Sequence, residues 1–366
     1  YNTAPDYSIA DMLNELKASY LTAPFSLFTE NTFEEVQQEL NSYDMLIIAD
    51  PTEAFSDEHK YQIDQYLMQG GQVVWLAQLN EQKAHPESGD AYIIGKDLGI
   101  TDMLFKYGIR VNTDVVKDLY AAPIVLASGQ ERESQYESYP WLFYPIAESL
   151  NTHPINKYID PVKFNYASSI DTLPNSADKH ILLQSSEYNK ALNLPYMVDL
   201  SHEIPMNLEL INEGPTEDYF NQAVPLAVLV EGKIPSAFEN RIKPINWKSD
   251  ISDLESSEAG KLLFVSDGSF IQNQMDGDRP LELGYDKWTN SYYGNKEFLL
   301  NGINYMLDEK GLMELRNKQI RIPFLDLHKS IDQRRKWQYT NILVPLIGLG
   351  IFGLAFGFIR KRKYIK

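Results

Sequence analysis

The chain has 366 residues, no cysteine and a formal charge of −18. The length allows two or three domains, or one large α/β domain with additions. The missing thiols exclude a disulfide scaffold, Cys-ligated zinc, iron–sulfur clusters and a thiol nucleophile. Eight of the 33 basic residues, and no acid, lie after position 333. Residues 1–333 therefore hold 25 basic against 51 acidic residues, a charge of −26. A body this acidic repels phosphate backbones, which argues against nucleic-acid binding.

In chain order, 8–18 and 33–40 have helical patterning. Tyr43–Asp50 is a continuous apolar run ending in Asp-Pro, a buried strand closed by a turn. Ser56 is placed to N-cap a helix to Met68; Gly70-Gly71 ends it, and Gln72–Ala77 is the next strand. Strand, helix and strand within about 35 residues predict a βαβ unit with a parallel sheet. Asp97–Phe105 reads as a helix, with Gly108 turning into a strand at Ile109–Val111, and Ile124–Ala127 as a short strand.

Residues 129–160 carry Pro140, Pro145 and Pro154 among Trp141, Phe143, Tyr144 and Tyr158, and read as an ordered but irregular excursion. Val162–Ile170, Ile181–Gln184 and Pro225–Val230 are strand candidates, while 185–222 is polar and lacks strong periodicity. Pro244–Ala259 reads as a surface loop. Lys261–Gln272 is a strand running through Asp-Gly into a helix, and Lys296–Leu307 is an amphipathic helix closing the globular part. The connector 311–336 is predicted to hold a short strand at Ile320–Phe324 and a charged juxtamembrane helix.

Asn341–Ile359 is 19 residues without a charge. At about 1.5 Å per residue, a helix of that length nearly spans the ~30 Å hydrocarbon core. Trp337, Tyr339 and Tyr364 stand where interfacial anchors sit. Gly350, Gly353 and Gly357 give a spacing that lets another helix approach closely. Arg360, Lys361, Arg362 and Lys363 favour a cytoplasmic tail by the positive-inside rule. The expected layout is an extracytoplasmic α/β domain over 1–310, a connector over 311–336, a transmembrane helix over 337–360 and a basic tail over 361–366. Such a body needs an export signal and the chain starts at Tyr1 without one, so the sequence predicts a preceding N-terminal part.

In open α/β sheets ligands bind beyond the carboxyl ends of strands, where Asp50, Asp267 and Ser269 fall. The elbow pattern G-x-S-x-G is absent around Asp267-Gly268-Ser269, so the plain reading is a strand-end turn. Phosphate-loop and dinucleotide fingerprints are missing, and no histidine pair has metal-ligand spacing. The aromatic cluster at 139–146 is either packing under a long loop or the lining of a pocket. From residues alone the chain is a membrane-anchored α/β protein with no metal site, no cofactor and no recognisable catalytic centre.

YDMLIIADPTEAFSDEHKYQIDQYLMQGGQVVWL (43–76) resembles the strand–helix–Gly-Gly–strand core of auxiliary extracytoplasmic subunits of bacterial ABC transporters. HPINKYIDPVKFNYASSIDTL (153–173), PLAVLVEGKIPSAFENRIKP (225–244) and the stretches 103–129, 292–320 and 337–364 are similar, in the same order, to its gliding-motility branch, GldG of Bacteroidota. The resemblance implies a Rossmann or flavodoxin-like domain, akin to glutamine amidotransferases, with a mostly parallel sheet. It implies a non-enzymatic subunit of the inner membrane with its soluble domain in the periplasm. Its partners would be a GldF-like permease and a GldA-like ATPase. It carries over no catalytic residue. The other readings are an envelope hydrolase using Asp50, Asp267 or Ser269, and a receptor for a small ligand.

Overall fold

The computed structural model describes residues 7–27, 31–84, 90–128, 135–150, 153–244, 254–308 and 334–364. Two compact units divide the chain, Tyr1–Asn317 and Lys318–Lys366.

The first unit opens with helices α1 (Ala10–Ser19) and α2 (Phe33–Leu40). In α2 a capping box forms: Thr32 accepts from the Glu35 N–H and the Glu35 carboxylate accepts from the Thr32 N–H. Then come β1 (Met45–Ala49), α3 (Asp57–Met68) and β2 (Gln72–Leu76). Ser56 caps α3 by accepting from the His59 N–H at 3.2 Å, and Gly70 in the left-handed region turns the chain towards β2. β3 (Asn80–Ala84), β4 (Ala91–Gly95), α4 (Thr101–Tyr107), β5 (Ile109–Val111) and β6 (Asp114–Asp118) follow. Next are β7 (Ala121–Ser128), β8 (Gln135–Ala147), β9 (Val162–Lys163), β10 (Ile170–Thr172), β11 (Ala177–Gln184), β12 (Asn189–Asn193) and β13 (Tyr196–Val198). Helix α5 (Leu200–Glu213), β14 (Pro225–Gly232), β15 (Ile234–Pro235), β16 (Ser256–Ser257), β17 (Lys261–Val265) and α6 (Asn295–Met306) complete the elements used below.

The central sheet has the order β1-β2-β17-β14-β11. β1 pairs parallel with β2, and β2 parallel with β17, with Gln72 facing Met45 on one side and Lys261 on the other. β14 pairs antiparallel with both β17 and β11. This corrects the expected mostly parallel, flavodoxin-like sheet: the sheet is mixed, and short antiparallel sheets surround it. The physical reason is that β14 enters the sheet between β11 and β17 in the opposite sense to both. Its apolar run buries on both faces, as a parallel strand would, so hydropathy alone does not distinguish the two.

Alternate residues serve two cores. Val73, Trp75, Leu262 and Phe264 pack with α3 and α4, while Val74, Leu76, Leu263 and Val265 pack with α1 and α6. Full burial of a side chain of this size contributes roughly 1.5–3 kcal/mol, so the sheet is the main source of stability.

The expected irregular excursion is instead largely one 13-residue strand, β8, the partner of β7. The expected strand over 162–170 is two short pieces, β9 and β10. The polar stretch 185–222 contains β12, β13 and α5. After β17 a single 3-10 turn, Gly268–Ile271, stands where a helix was expected. Ile320–Phe324 and most of the surface loop at 244–259 lie outside the described residues.

The second unit contains α7 (Arg334–Tyr364), a 31-residue helix with Pro345 inside it. Its stretch Tyr339–Gly357 is long and apolar enough to cross a membrane.

Candidate functional site

The strand-end acids lie at the carboxyl ends of β1 and β17, at the same end of the central sheet. Asp50 directly follows β1 in the left-handed region, φ 44°, where a non-glycine residue carries backbone strain. Its N–H donates to the Leu76 carbonyl, and its carboxylate accepts from Gln272 Nε2 at 3.1 Å, with Lys96 Nζ at 3.8 Å. Asp267, two residues beyond β17, is fully buried. It accepts from the N–H of Asn165 at 2.7 Å, the N–H of Ser269 at 2.8 Å and the Ser269 hydroxyl at 2.8 Å. Burial lifts its carboxyl to about 6 against those hydrogen bonds, with a smaller push from Asp50. Asp267 is therefore the organiser of a turn that fastens residue 165 to the end of β17.

Ser269 Oγ donates to Asp267 and accepts from Asn165 Nδ2 at 3.0 Å. A nucleophilic serine needs a base to take its proton, and no histidine lines the cleft among the described residues. The Ser269 hydroxyl is held on both sides by the turn.

Above this turn opens a cleft of about 500 Å³. Lys163 of β9 forms one wall. Asn295, at the start of α6, grips its backbone twice: Asn295 Oδ1 accepts from the Lys163 N–H at 3.1 Å, and Nδ2 donates to its carbonyl at 2.8 Å. The Lys163 ammonium lies 3.2 Å from Asp286 and over the rings of Tyr144, at 4.7 Å, and Tyr293, at 5.6 Å. Both members of the ion pair are largely buried, so losing either one would leave a desolvated charge uncompensated. Trp288, more than half exposed, and the amides of Gln82, Gln272 and Gln274 complete a lining of aromatic faces and hydrogen-bonding groups.

Such a lining binds a ligand through stacking and hydrogen bonds. Among the described residues no three His, Asp or Glu side chains gather into a metal-binding cluster. The sequence located Ser269 and, through the aromatic cluster, Tyr144. It missed Lys163, Asn165, Asp286 and Asn295, because short strands and turns distant in the chain bring them together without a motif.

On α7, a Cβ built at Gly350, Gly353 or Gly357 meets nothing within 4 Å. Tyr339, Arg360 and Arg362 are exposed, and the side chains of Trp337, Lys361, Lys363 and Tyr364 lie outside the described set.

Residues 2–302 match the family described as an ABC-type uncharacterized transport system. No curated protein matches the chain. Among solved structures, the chain is 14% identical to "mmIFT52 N-terminal domain", with a TM-score of 0.44, covering 82% of this chain and 91% of that one. It is 10% identical to "Cytoplasmic Protein STM3548 from Salmonella typhimurium", with a TM-score of 0.38, covering 81% and 86%.

Proposed function

The chain belongs to the ABC-type uncharacterized transport system family, and from that premise we propose that it is a non-enzymatic auxiliary subunit of an ABC transporter, anchored by α7. The observation that carries this reading is the pairing of a family match across almost the whole first unit with one helix apolar and long enough to cross a membrane. We place the first unit outside the cytoplasm, in the periplasm of a bacterium with an inner membrane. The basic residues from Arg360 onward then remain on the cytoplasmic side, as the positive-inside rule favours.

The stripe Gly350, Gly353 and Gly357 packs against a permease helix, since small residues let two backbones approach where side-chain burial brings no hydrophobic gain. By the sequence resemblance to the gliding-motility branch, the permease is GldF-like, the ATPase GldA-like, and the assembly serves gliding motility. In this scheme the cleft above Asp267 takes a ligand or an envelope partner. Its paired charges and the committed hydroxyl of Ser269 favour binding over hydrolysis.

Affinity purification of the full-length protein from its own membranes in a gentle detergent, followed by mass spectrometry, tests the reading. A permease and an ATPase recovered in stoichiometric amounts support it. Recovery of the protein alone in several detergents overturns it. The double variant Gly353→Leu/Gly357→Leu should lose the permease; unchanged co-purification removes the role of the glycine stripe.

A further inference from the structure

The cleft above the Asp267 turn is electrically balanced. Among the described residues its lining holds two charged side chains, Lys163 and Asp286, and they neutralise each other at 3.2 Å. A charged ligand finds no uncompensated partner there and would have to break a largely buried pair to gain one. The rest of the lining offers amide and aromatic groups, which suit an uncharged ligand.

Three glutamines reach the cleft: Gln82 on β3, and Gln272 and Gln274 after the Asp267 turn. Gln82 and Gln272 are exposed, and Gln274 is half-buried. Each is tethered by one amide atom. Gln82 Nε2 donates to Asn80 Oδ1 at 2.9 Å, Gln272 Nε2 donates to Asp50 at 3.1 Å, and Gln274 Oε1 accepts from the Lys287 N–H at 3.0 Å. The other amide atoms, the oxygens of Gln82 and Gln272 and the NH2 of Gln274, make no hydrogen bond among the described residues. A tethered amide has lost part of its freedom before a ligand arrives, which lowers the cost of binding.

Trp288 is 58% exposed, although the Lys287 ammonium lies 5.1 Å over its ring and Tyr136, itself 65% exposed, sits 6.0 Å away. Tyr285, in the same lining, packs on Tyr292 at 4.7 Å. An exposed indole keeps apolar area that a flat ligand can cover.

We propose that this cleft binds a neutral oligosaccharide, one pyranose ring stacking on Trp288 and its hydroxyls bonding to Gln82, Gln272 and Gln274. Each sugar hydroxyl donates and accepts, as amides do, and the C–H face of the ring is apolar and flat. A proline-rich peptide also favours aromatic rings, but it has no N–H for the two amide oxygens. The volume, about 500 Å³, lies within the ~300–1,000 Å³ of ligand sites. The proposal rests on the binding role given to this cleft above and names its ligand. Its test needs no permease, so it can fail while the permease still co-purifies, and the two readings fall separately.

The test is isothermal titration of the full-length protein, in a detergent without a sugar head group, with maltotriose, cellotriose, mannotriose and tri-N-acetylchitotriose. Saturable binding of at least one is expected, with a Kd below about 10 mM. Trigalacturonate and the deacetylated, cationic chitotriose should bind about tenfold more weakly or worse. Trp288→Ala changes an exposed side chain and should weaken binding about tenfold with the melting midpoint unchanged. Gln82→Ala should weaken it about threefold or more. Absence of saturable heat with all four neutral trisaccharides up to about 10 mM overturns the proposal. So does an undiminished affinity in both variants, or tighter binding of either charged trisaccharide. Saturable binding of hexaproline in place of the sugars assigns the cleft to a peptide and overturns it as well.

Discussion

Gly268 lies so close to Asp50 that a Cβ there would come within 2.6 Å of Oδ1. The contact joins the end of β1 to the turn that follows β17, and Gln272 holds the Asp50 carboxylate in place. Gly268→Ala should therefore destabilise the first unit by about 1–3 kcal/mol, as overpacking does elsewhere. Urea midpoints read the loss. In an Asp50→Ala background at least half of it should vanish, since the clashing oxygen is gone.

Asp64 of α3 is a fully buried acid that ties three segments together: α3 itself, α4 and the residues after β15. It accepts from the Tyr107 hydroxyl at 2.9 Å, the Ser236 hydroxyl at 2.7 Å, the Ala237 N–H at 2.7 Å and Gln65 Nε2 at 3.0 Å. Asp64→Ala strands those donors and should cost about 3 kcal/mol or more. Tyr107→Phe removes one donor and should cost about 1 kcal/mol. A loss in Asp64→Ala no greater than in Tyr107→Phe would show that the network carries no special weight.

Lys117 and Glu203 make a cross-element pair whose side chains are both 1% exposed, with the Tyr196 hydroxyl donating to the same carboxylate at 2.6 Å. Glu203→Leu alone leaves a buried ammonium and should cost about 3–5 kcal/mol. Lys117→Met/Glu203→Leu should be more stable than either single variant. A strictly additive double variant in thermal unfolding would contradict this.

His153 sits under the ring of Tyr305, at 4.6 Å, with His180 at 5.2 Å and Lys261 and Glu231 completing its charged surroundings. Burial, aided by His180 and Lys261, holds its imidazole down to about 4 from 6.5. The folded protein thus takes up this proton less readily than the unfolded chain. The stabilisation is complete above about pH 6.5 and is lost as pH falls towards 4, by about 1–3 kcal/mol. His153→Asn keeps an acceptor for the Ile155 N–H without titrating. Its unfolding free energy should depend less on pH than the wild type between pH 7 and 4.5, as chemical denaturation at each pH can show.

The sequence made β1, α3 and β2 legible because a continuous apolar run, a serine cap and a Gly-Gly stop act locally. Strand direction was not legible. β14 and β17 are both apolar runs buried on two faces, and only the chain path sets their opposed senses. β8 was hidden by its prolines, yet Pro140 faces Pro123, so two residues without an N–H share one rung of the ladder. α5 was hidden for another reason: the face it buries carries Glu203, Asn207 and Leu210, two of them polar and bonded to distant partners, Glu203 to Lys117 and the Asn207 Nδ2 to the Pro140 carbonyl. No periodicity count registers such a face. The candidate cleft was half visible, since Ser269 and Tyr144 lie in recognisable stretches, whereas Lys163 and Asp286 acquire meaning only once β9 and the turns before α6 meet.

The position of β17 in the sheet bears on how the protein is made. The strand emerges from the ribosome some 185 residues after β2, yet it belongs between β2 and β14. Until residue 265 has been synthesised, both neighbours carry unpaired edges, and neither core can close. The sheet is completed by long-range pairing late in synthesis, the kind of step that folds slowly and exposes nascent chains to aggregation. A nascent chain truncated before Lys261 should be a client for holdase chaperones, and release from them should coincide with the arrival of five residues, Lys261–Val265.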